Sequence, residues 1–353
     1  MVKDLELDTA AVGEPLECRH CSMLGVTTHP ASVVTSIGMA QALTITGGCL
    51  DTGFGEAYRT KLGNAYRGKV EQFLDSSEAK VARGKAQLIF TSPPFPLNRK
   101  KKYGNAQGAD YVQWLAEFAP KFLKLLRPNG SIVLEMGNAW EPGQPIMSTL
   151  ALEALLEFLK AGNLKLCQQF VCYNPARLPS PAAWVTIERI RLKDAYTHVW
   201  WMSPVERPLA FNGRIGVVTP YSDSMKALLK RGYYNHGKRP SQHAISEKSF
   251  LKRNKGAIRP NVLSFSNTSA SDPYLRYCRA HKLPKHPARM PIGLAEFFIR
   301  FLTNKGQLVI DPFAGCNTTG AAAERLGRRW VAVEPELAYL HGSKGWFPSL
   351  SEE

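Results

Sequence analysis

Two short stretches, far apart in the chain, carry residues whose types and order could do chemistry. The first is Thr91-Ser92-Pro93-Pro94-Phe95. Consecutive prolines cannot donate to a strand ladder, and each biases its predecessor towards extended backbone. The Ser92 hydroxyl and the Pro93 carbonyl are thereby left without strand partners, beside the aromatic face of Phe95. Such a corner can hold a flat, amine-bearing ring, with acceptors for its N–H groups and a ring to stack on. Taken alone, the same residues read equally well as a proline-terminated strand and turn. The second stretch runs Asp311-Pro312-Phe313-Ala314-Gly315-Cys316-Asn317-Thr318-Thr319-Gly320, with Glu334 nineteen residues beyond Gly315. A glycine in such a turn lets the backbone approach a ligand, and an acid at the next strand's end can take both hydroxyls of a ribose. The pattern is not G-x-G-x-x-G, so a pyrophosphate cradle is not indicated. A nucleoside without phosphates fits better, and S-adenosylmethionine is one.

Each stretch needs a strand to present it. Residues 87–91 are apolar and β-branched, the pattern of a buried strand leading into Ser92. After a basic loop at 98–105, residues 111–126 place Trp114, Leu115, Phe118, Phe122 and Leu125 at helical spacing, and Pro128-Asn129-Gly130 stops that helix. Strands are expected at 131–135, 164–173 and 198–202, with a helix at 147–160. Further on, 295–302 reads as helix, 307–310 as a strand into Asp311, 321–326 as helix and 330–333 as a strand ending at Glu334. This repetition implies a parallel sheet wrapped by helices. Residues 1–64 show no sustained periodicity and read as a poorly defined extension. Within them Cys18 and Cys21, with His20 and His29 near, have the spacing of half a zinc site. No second pair follows at a suitable distance, so no metal is expected.

The chain has 353 residues and 44% apolar content, enough for one large domain or two smaller ones. Its net charge of +16 suits a polyanion, either nucleic acid or an anionic membrane surface. No apolar run approaches the ~18 residues of a span, and no segment is basic on one face and apolar on the other. Nucleic acid is therefore the favoured partner, without a membrane. The lack of an apolar leader and the seven scattered cysteines point to a reducing cytoplasm. Residues 231–260 carry Lys238, Arg239, Lys252, Arg253 and four further cations against one acid, Glu247. Among them stand Tyr233, Tyr234, Asn235, His236, Gln242 and His243, which can stack on bases or read their edges. A charge run can also be a plain solvated face, but the whole-chain charge favours nucleic acid here.

Together these features resemble the amino-methyltransferases of DNA. S-P-P-F after a strand precedes D-P-F-A-G-x-N-T-T-G, an order similar to the β group of that family. The match is closer to the PvuII-type cytosine-N4 modification methylases. It is carried by T-S-P-P-F then R-K-K-x-Y-G-N at 91–105, by N-P-A-R-L-P-S-P-x-x-W-V through R-I-R-L-K-D at 174–194, by W-W at 200–201 and by H-P-A-R at 286–289. The likeness spans roughly residues 65–340.

The resemblance implies an α/β, Rossmann-like S-adenosylmethionine-dependent methyltransferase fold, circularly permuted, with a target-recognition insertion. Its parts would be an N-terminal extension (1–64), a catalytic half (65–205), a target-recognition region (206–285), a cofactor-binding half (286–340) and a tail (341–353). It implies methylation of cytosine N4 in double-stranded DNA, with the target cytosine flipped out. The protein would be the modification half of a restriction–modification system, and a cognate restriction endonuclease would share its site without binding it. Ser92, Pro93, Pro94 and Phe95 would be catalytic. Asp311, Phe313, Gly315, Asn317 and Thr318 would surround the cofactor, with Glu334 on its ribose, and His286, Pro287 and Ala288 would form its other motif. Arg99, Lys100 and Lys101 would join Lys238, Arg239, Lys252 and Arg253 on DNA.

Methylation at cytosine C5 needs a cysteine nucleophile, in that family one directly after a proline, and no cysteine here follows a proline. Serine before the two prolines favours cytosine over adenine. N6-adenine methylation and a non-catalytic DNA-binding protein on the same scaffold are the alternatives. One departure stands out: the family often has an acid after Y-x-G, where this chain reads Ala65-Tyr66-Arg67-Gly68-Lys69. Glu135 is the acid expected to compensate for Lys69.

Overall fold

A computed structural model describes residues 53–95, 108–266 and 272–351, and a nine-stranded sheet orders them. In chain order the strands are β1 (Gly55–Arg59), β2 (Gly63–Arg67), β3 (Ala86–Thr91), β4 (Leu126–Gly137), β5 (Lys165–Tyr173) and β6 (Tyr196–Ser203). A separate hairpin of β7 (Gly237–Lys238) and β8 (Ala244–Ile245) follows, then β9 (Val262–Ser264), β10 (Leu308–Asp311) and β11 (Arg329–Glu334). Across the sheet the order is β1-β2-β11-β10-β3-β4-β6-β5-β9.

The run from β2 through β11, β10 and β3 to β4 is parallel, as the strand-helix-strand rhythm predicts. The sheet as a whole is mixed, which corrects that expectation. Strand β6 lies antiparallel between β4 and β5. The segment from β5 to β6 holds only a π-helical turn, Ala183–Ile187, and stays at one end of the sheet, so the chain must run back antiparallel. A second correction concerns the N-terminal boundary. Strand β1 pairs antiparallel with β2 inside the stretch read as an extension. The pair is held by long-range packing: Tyr58 of β1 meets Trp330 at 6.3 Å, and a Cβ on Gly63 at the start of β2 would lie 2.3 Å from Trp330 Cδ2, so only glycine lets that indole cover the turn. The expectations for Cys18, Cys21, His20 and His29 lie outside the described residues.

Both faces of the sheet are covered, so β3 is buried throughout, with Leu88, Ile89 and Phe90 in an unbroken apolar run instead of alternating. Leu88 and Phe90 point to one face and Ile89 to the other. On the first face Phe90 meets Phe298 of the helix Ile292–Leu302 at 5.4 Å, and Phe298 meets Phe170 of β5 at 5.1 Å. On the second, Phe118, Phe122 and Phe158 pack from the helices Phe118–Leu125 and Leu150–Ala161. The single helix expected over 111–126 is two, Gly108–Ala116 and Phe118–Leu125. Pro120 lacks the N–H that a continuous helix would send back to Ala116.

Part of the stretch assigned to target recognition belongs to this body. Strand β9 adds an edge to β5, and the helix Pro273–Ala280 stacks Tyr274 on Trp346 at 6.0 Å. Residues 206–261 keep the basic, mostly exposed character, with the helix Asp223–Arg231 and the β7–β8 hairpin as their regular elements. Among the described residues no helix is long and apolar enough to cross a membrane. Phe298 is fully buried among aromatic rings. We expect Phe298→Ala to lower the free energy of unfolding by about 3–5 kcal/mol in urea titration.

Candidate active site

The carboxyl ends of β3, β4, β10 and β11 point the same way, and the chemistry-bearing residues collect there. Sheet order reverses between β3 and β10, since the chain leaves β3 towards β4 but leaves β10 towards β11. A crevice opens at such a point in an open α/β sheet. Thr91, the last residue of β3, is buried and bridges the two strand ends. Its hydroxyl donates to Asp311 Oδ1 at 2.6 Å and accepts from the Phe313 N–H at 3.2 Å.

Beyond Thr91 the two prolines carry the chain off the sheet. The Tyr111 hydroxyl donates to the Pro94 carbonyl at 2.7 Å and fixes the corner from below. Among the described residues, the Pro93 carbonyl takes no hydrogen bond. Phe95 lies against the backbone of Gly137 at the end of β4, where a Cβ would stand 2.6 Å from its Cε2. Ser92 and Phe95 line a cavity of about 290 Å³, towards the small end for a ligand site, with Glu135, Cys172, Asn174, Arg177, Tyr196 and Thr197. Pro287 and Ala288 close it from the other half of the chain.

Glu135 is the charged centre of that cavity. It is buried on β4, and the Thr197 hydroxyl donates to its Oε1 at 2.9 Å. Burial pushes its carboxyl up to about 7, against hydrogen bonds from Thr197 and Ser92 and the nearby Arg177 guanidinium. A carboxyl so poised, in one cavity wall with Ser92, can hold or release a proton near neutrality. It cannot stand in for an acid at Lys69, which corrects that expectation. Lys69 follows β2, and β11, β10 and β3 intervene before β4, a separation of about 19 Å at ordinary strand spacing.

The neighbouring strand ends form the second half of the site. Gly315 has φ +52°, and a Cβ there would lie 2.9 Å from His286 Nε2, so glycine alone lets the turn and the imidazole close up. His286 also meets Tyr339 edge-on at 4.7 Å. Glu334 Oε2 accepts from the Gly315 N–H at 2.9 Å and Oε1 from the Glu336 N–H at 3.0 Å. Burial raises the Glu334 carboxyl to about 7 and that of Asp311 to about 6. Gly68 donates its N–H to the Glu334 carbonyl at 3.2 Å, so Lys69 stands one residue from this rim.

Two expected cofactor residues are used internally. Asn317 is fully buried at φ +52°; its Oδ1 accepts from the Gly320 N–H and its Nδ2 donates to the Tyr58 hydroxyl at 2.8 Å. It caps the helix Thr318–Arg325, and Thr318 is buried against Cys316 at 3.2 Å. Phe313 is packed edge-on against Trp114 and Phe118. Lys238, Arg239, Lys252 and Arg253 lie apart from the cavity, on β7 and the loops around it, with Arg239 Nη2 donating to the Asn235 carbonyl at 2.7 Å. Arg99, Lys100 and Lys101 lie outside the described residues. Sequence reasoning gave no role to Thr91, Tyr111, Gly137 or Thr197, because each acts through a partner distant in the chain.

Because Phe95 rests on Gly137, Gly137→Ala should displace the ring. We expect the turnover number to fall about 10- to 100-fold, with ligand affinity at the Gly315 turn by calorimetry changed less than about twofold, since Gly137 lies apart from that turn.

A DNA methylase family model matches residues 86–344 of this chain. The Type II methyltransferase M.PvuII of Proteus hauseri is 40% identical over 308 residues, 86% of this chain and 90% of that protein. The solved PvuII DNA methyltransferase (cytosine-N4-specific) superposes with a TM-score of 0.66 at 35% identity, over 84% of this chain and 90% of that one. The DNA adenine methyltransferase YhdJ of Escherichia coli is more distant, 22% identical over 287 residues, 80% of this chain and 82% of that protein. With the site geometry, the span of the family match and the identity to M.PvuII in agreement, this chain belongs to the DNA methylase family.

Proposed function

We propose that the protein transfers a methyl group from S-adenosylmethionine to the N4 amine of a cytosine in duplex DNA, as the modification half of a cytoplasmic restriction–modification system. The observation that carries this reading is the single cavity that puts the Ser92–Glu135 pair, the Phe95 ring and the Pro287–Ala288 segment around one space. Similarity to the cytosine-N4-specific enzyme supports the choice of base.

The Gly315 turn and Glu334 fit a nucleoside cofactor: the glycine leaves no side chain in the way, and the Glu334 carboxylate can accept from ribose hydroxyls. When bound, S-adenosylmethionine supplies an activated methyl group on a sulfonium. The amine of cytosine is a poor nucleophile because its lone pair is delocalised into the ring. In our reading its N–H groups donate to Ser92 Oγ and to the Pro93 carbonyl, which concentrates the lone pair on nitrogen. Ser92 donates onward to Glu135, whose ionised form sharpens Ser92 as an acceptor and offers a route for the proton that the amine must shed. Phe95 holds the ring flat. This is positioning and electrostatics without a covalent intermediate. A base stacked in a duplex cannot reach the cavity, so the target is flipped out. Residues 206–261 read the flanking sequence, with Lys238, Arg239, Lys252 and Arg253 on phosphates. Any cognate endonuclease shares the DNA site and need not touch this chain.

DNA from cells expressing the protein, digested to nucleosides and examined by mass spectrometry, should contain N4-methylcytosine, and DNA from cells expressing Ser92→Ala should contain none. N6-methyladenine in its place would overturn the base assignment. The acceptor role of Glu135 also sets a pH dependence. The group works ionised, and burial holds its carboxyl at about 7, so the turnover number at saturating cofactor and DNA should rise with pH through that value. Glu135→Gln should lower the plateau about 10- to 100-fold and remove the acidic limb of the profile.

A further inference from the structure

We propose that the loop 178–192 is an apolar wedge that enters the duplex beside the target base and fills the space that base leaves. The inference rests on the reading above, in which the target is turned out of the helix. The loop joins β5 to β6, and both its feet stand in the cavity wall, Asn174 and Arg177 on one side and Tyr196 and Thr197 on the other.

The feet are pinned. The Asn174 N–H donates to the Ala195 carbonyl at 2.7 Å, and Arg177 Nη1 to the Tyr196 carbonyl at 3.2 Å. Asp194 accepts from Trp140 Nε1 at 3.0 Å and from Arg191 Nη2 at 3.2 Å. A loop anchored this firmly has packing surface within reach for its apolar side chains. Yet Leu178, Ile187, Ile190 and Leu192 are 79%, 77%, 58% and 91% exposed. Four such side chains in one short segment are not scattered surface residues, and their exposure forgoes stabilisation that burial would supply.

The partner must be apolar within and anionic without, because Arg189 stands among the tips and Arg177 and Lys193 at the feet, where they bond backbone carbonyls, with Glu188 as the one unpaired acid among them. Stacked base pairs between phosphate strands have that character. Proteins that unstack DNA insert leucine, isoleucine or proline side chains between base steps, at a cost that added contacts repay. Here the wedge and the receiving cavity share the same loop feet, so one docking event would open the stack and accept the base.

The test uses the full chain carrying Ile187→Ser and Leu192→Ser together. Two duplexes are compared, both built on the sequence in which the wild-type protein deposits its methyl group. In one the target cytosine is paired, and in the other it lies opposite an abasic site, where extrusion is already easy. The double variant should lose about tenfold or more in kcat/KM on the paired duplex and less than about threefold on the abasic one. The fluorescence of 2-aminopurine in the target position should brighten with the wild type and stay dim with the variant. Equal losses on both duplexes, or none on either, would overturn the wedge. So would a change in sedimentation that assigned the apolar tips to contact between two copies of the chain. Unchanged thermal melting and cofactor binding would establish that the variant is folded; should it not fold, Leu192→Ser alone carries the same comparison. If the wild-type protein deposits a methyl group in no DNA at all, so that no such sequence is found, the methyltransferase reading itself has failed, and the wedge falls with it.

Discussion

The hydrogen bond from Thr91 to Asp311 joins the two halves of the site at the point where the sheet changes direction. β3 and β10 are adjacent and parallel, but the chain departs from them to opposite sides. Without a bridge, the buried Asp311 carboxyl would face the full cost of desolvation. With the Thr91 hydroxyl and the Phe313 N–H as partners, it instead fixes how far the Ser92 corner stands from the Gly315 turn. The two bridging residues, Thr91 and Asp311, are the last residues of β3 and β10, so the geometry inherits the stiffness of the sheet. Tyr111 beneath Pro94 and Gly137 beneath Phe95 then set the direction of the corner.

A second physical theme is the division of charge. Three carboxyls, Glu135, Asp311 and Glu334, are buried along one rim, and burial raises each above its ordinary range. The folded chain therefore keeps protons that the unfolded chain has lost, and these groups stabilise the fold less as pH climbs from the usual carboxylate range towards about 7. Ligand groups that donate to ionised carboxylates would offset that cost. Arg177 stands beside Glu135, but the basic run at 231–260 is kept elsewhere: most of its cations lie exposed, where they can meet phosphates without perturbing the buried acids. In the proposed reading, grip and chemistry would thus sit on separate parts of the chain.

Much of this was legible locally. S-P-P-F and D-P-F-A-G announce themselves because proline and glycine constrain their own backbone, and the strands that lead into them are continuous apolar runs. Glu334 was legible because a strand followed by an acid is a local pattern. The misses are equally physical. Pro120 breaks a helix whose apolar spacing reads as unbroken. β1 is short, and its Tyr58 packs on Trp330, far along the chain. Antiparallel β6 has the composition of any buried strand, and direction leaves no mark on composition.

The sequence by itself determined the class of fold, the residues at each strand end and the kind of chemistry they could do, since those follow from backbone constraint and side-chain type. Only the tertiary structure decided which of them share a space. It set Pro287 and Ala288 across from Ser92, turned Asn317 inwards to cap its helix and bond Tyr58, and took Glu135 away from Lys69 to stand beside Ser92. Most of those outcomes rest on contacts between strand ends and turns that are far apart in the chain, and such a contact is a property of strand order and register, which no local pattern encodes.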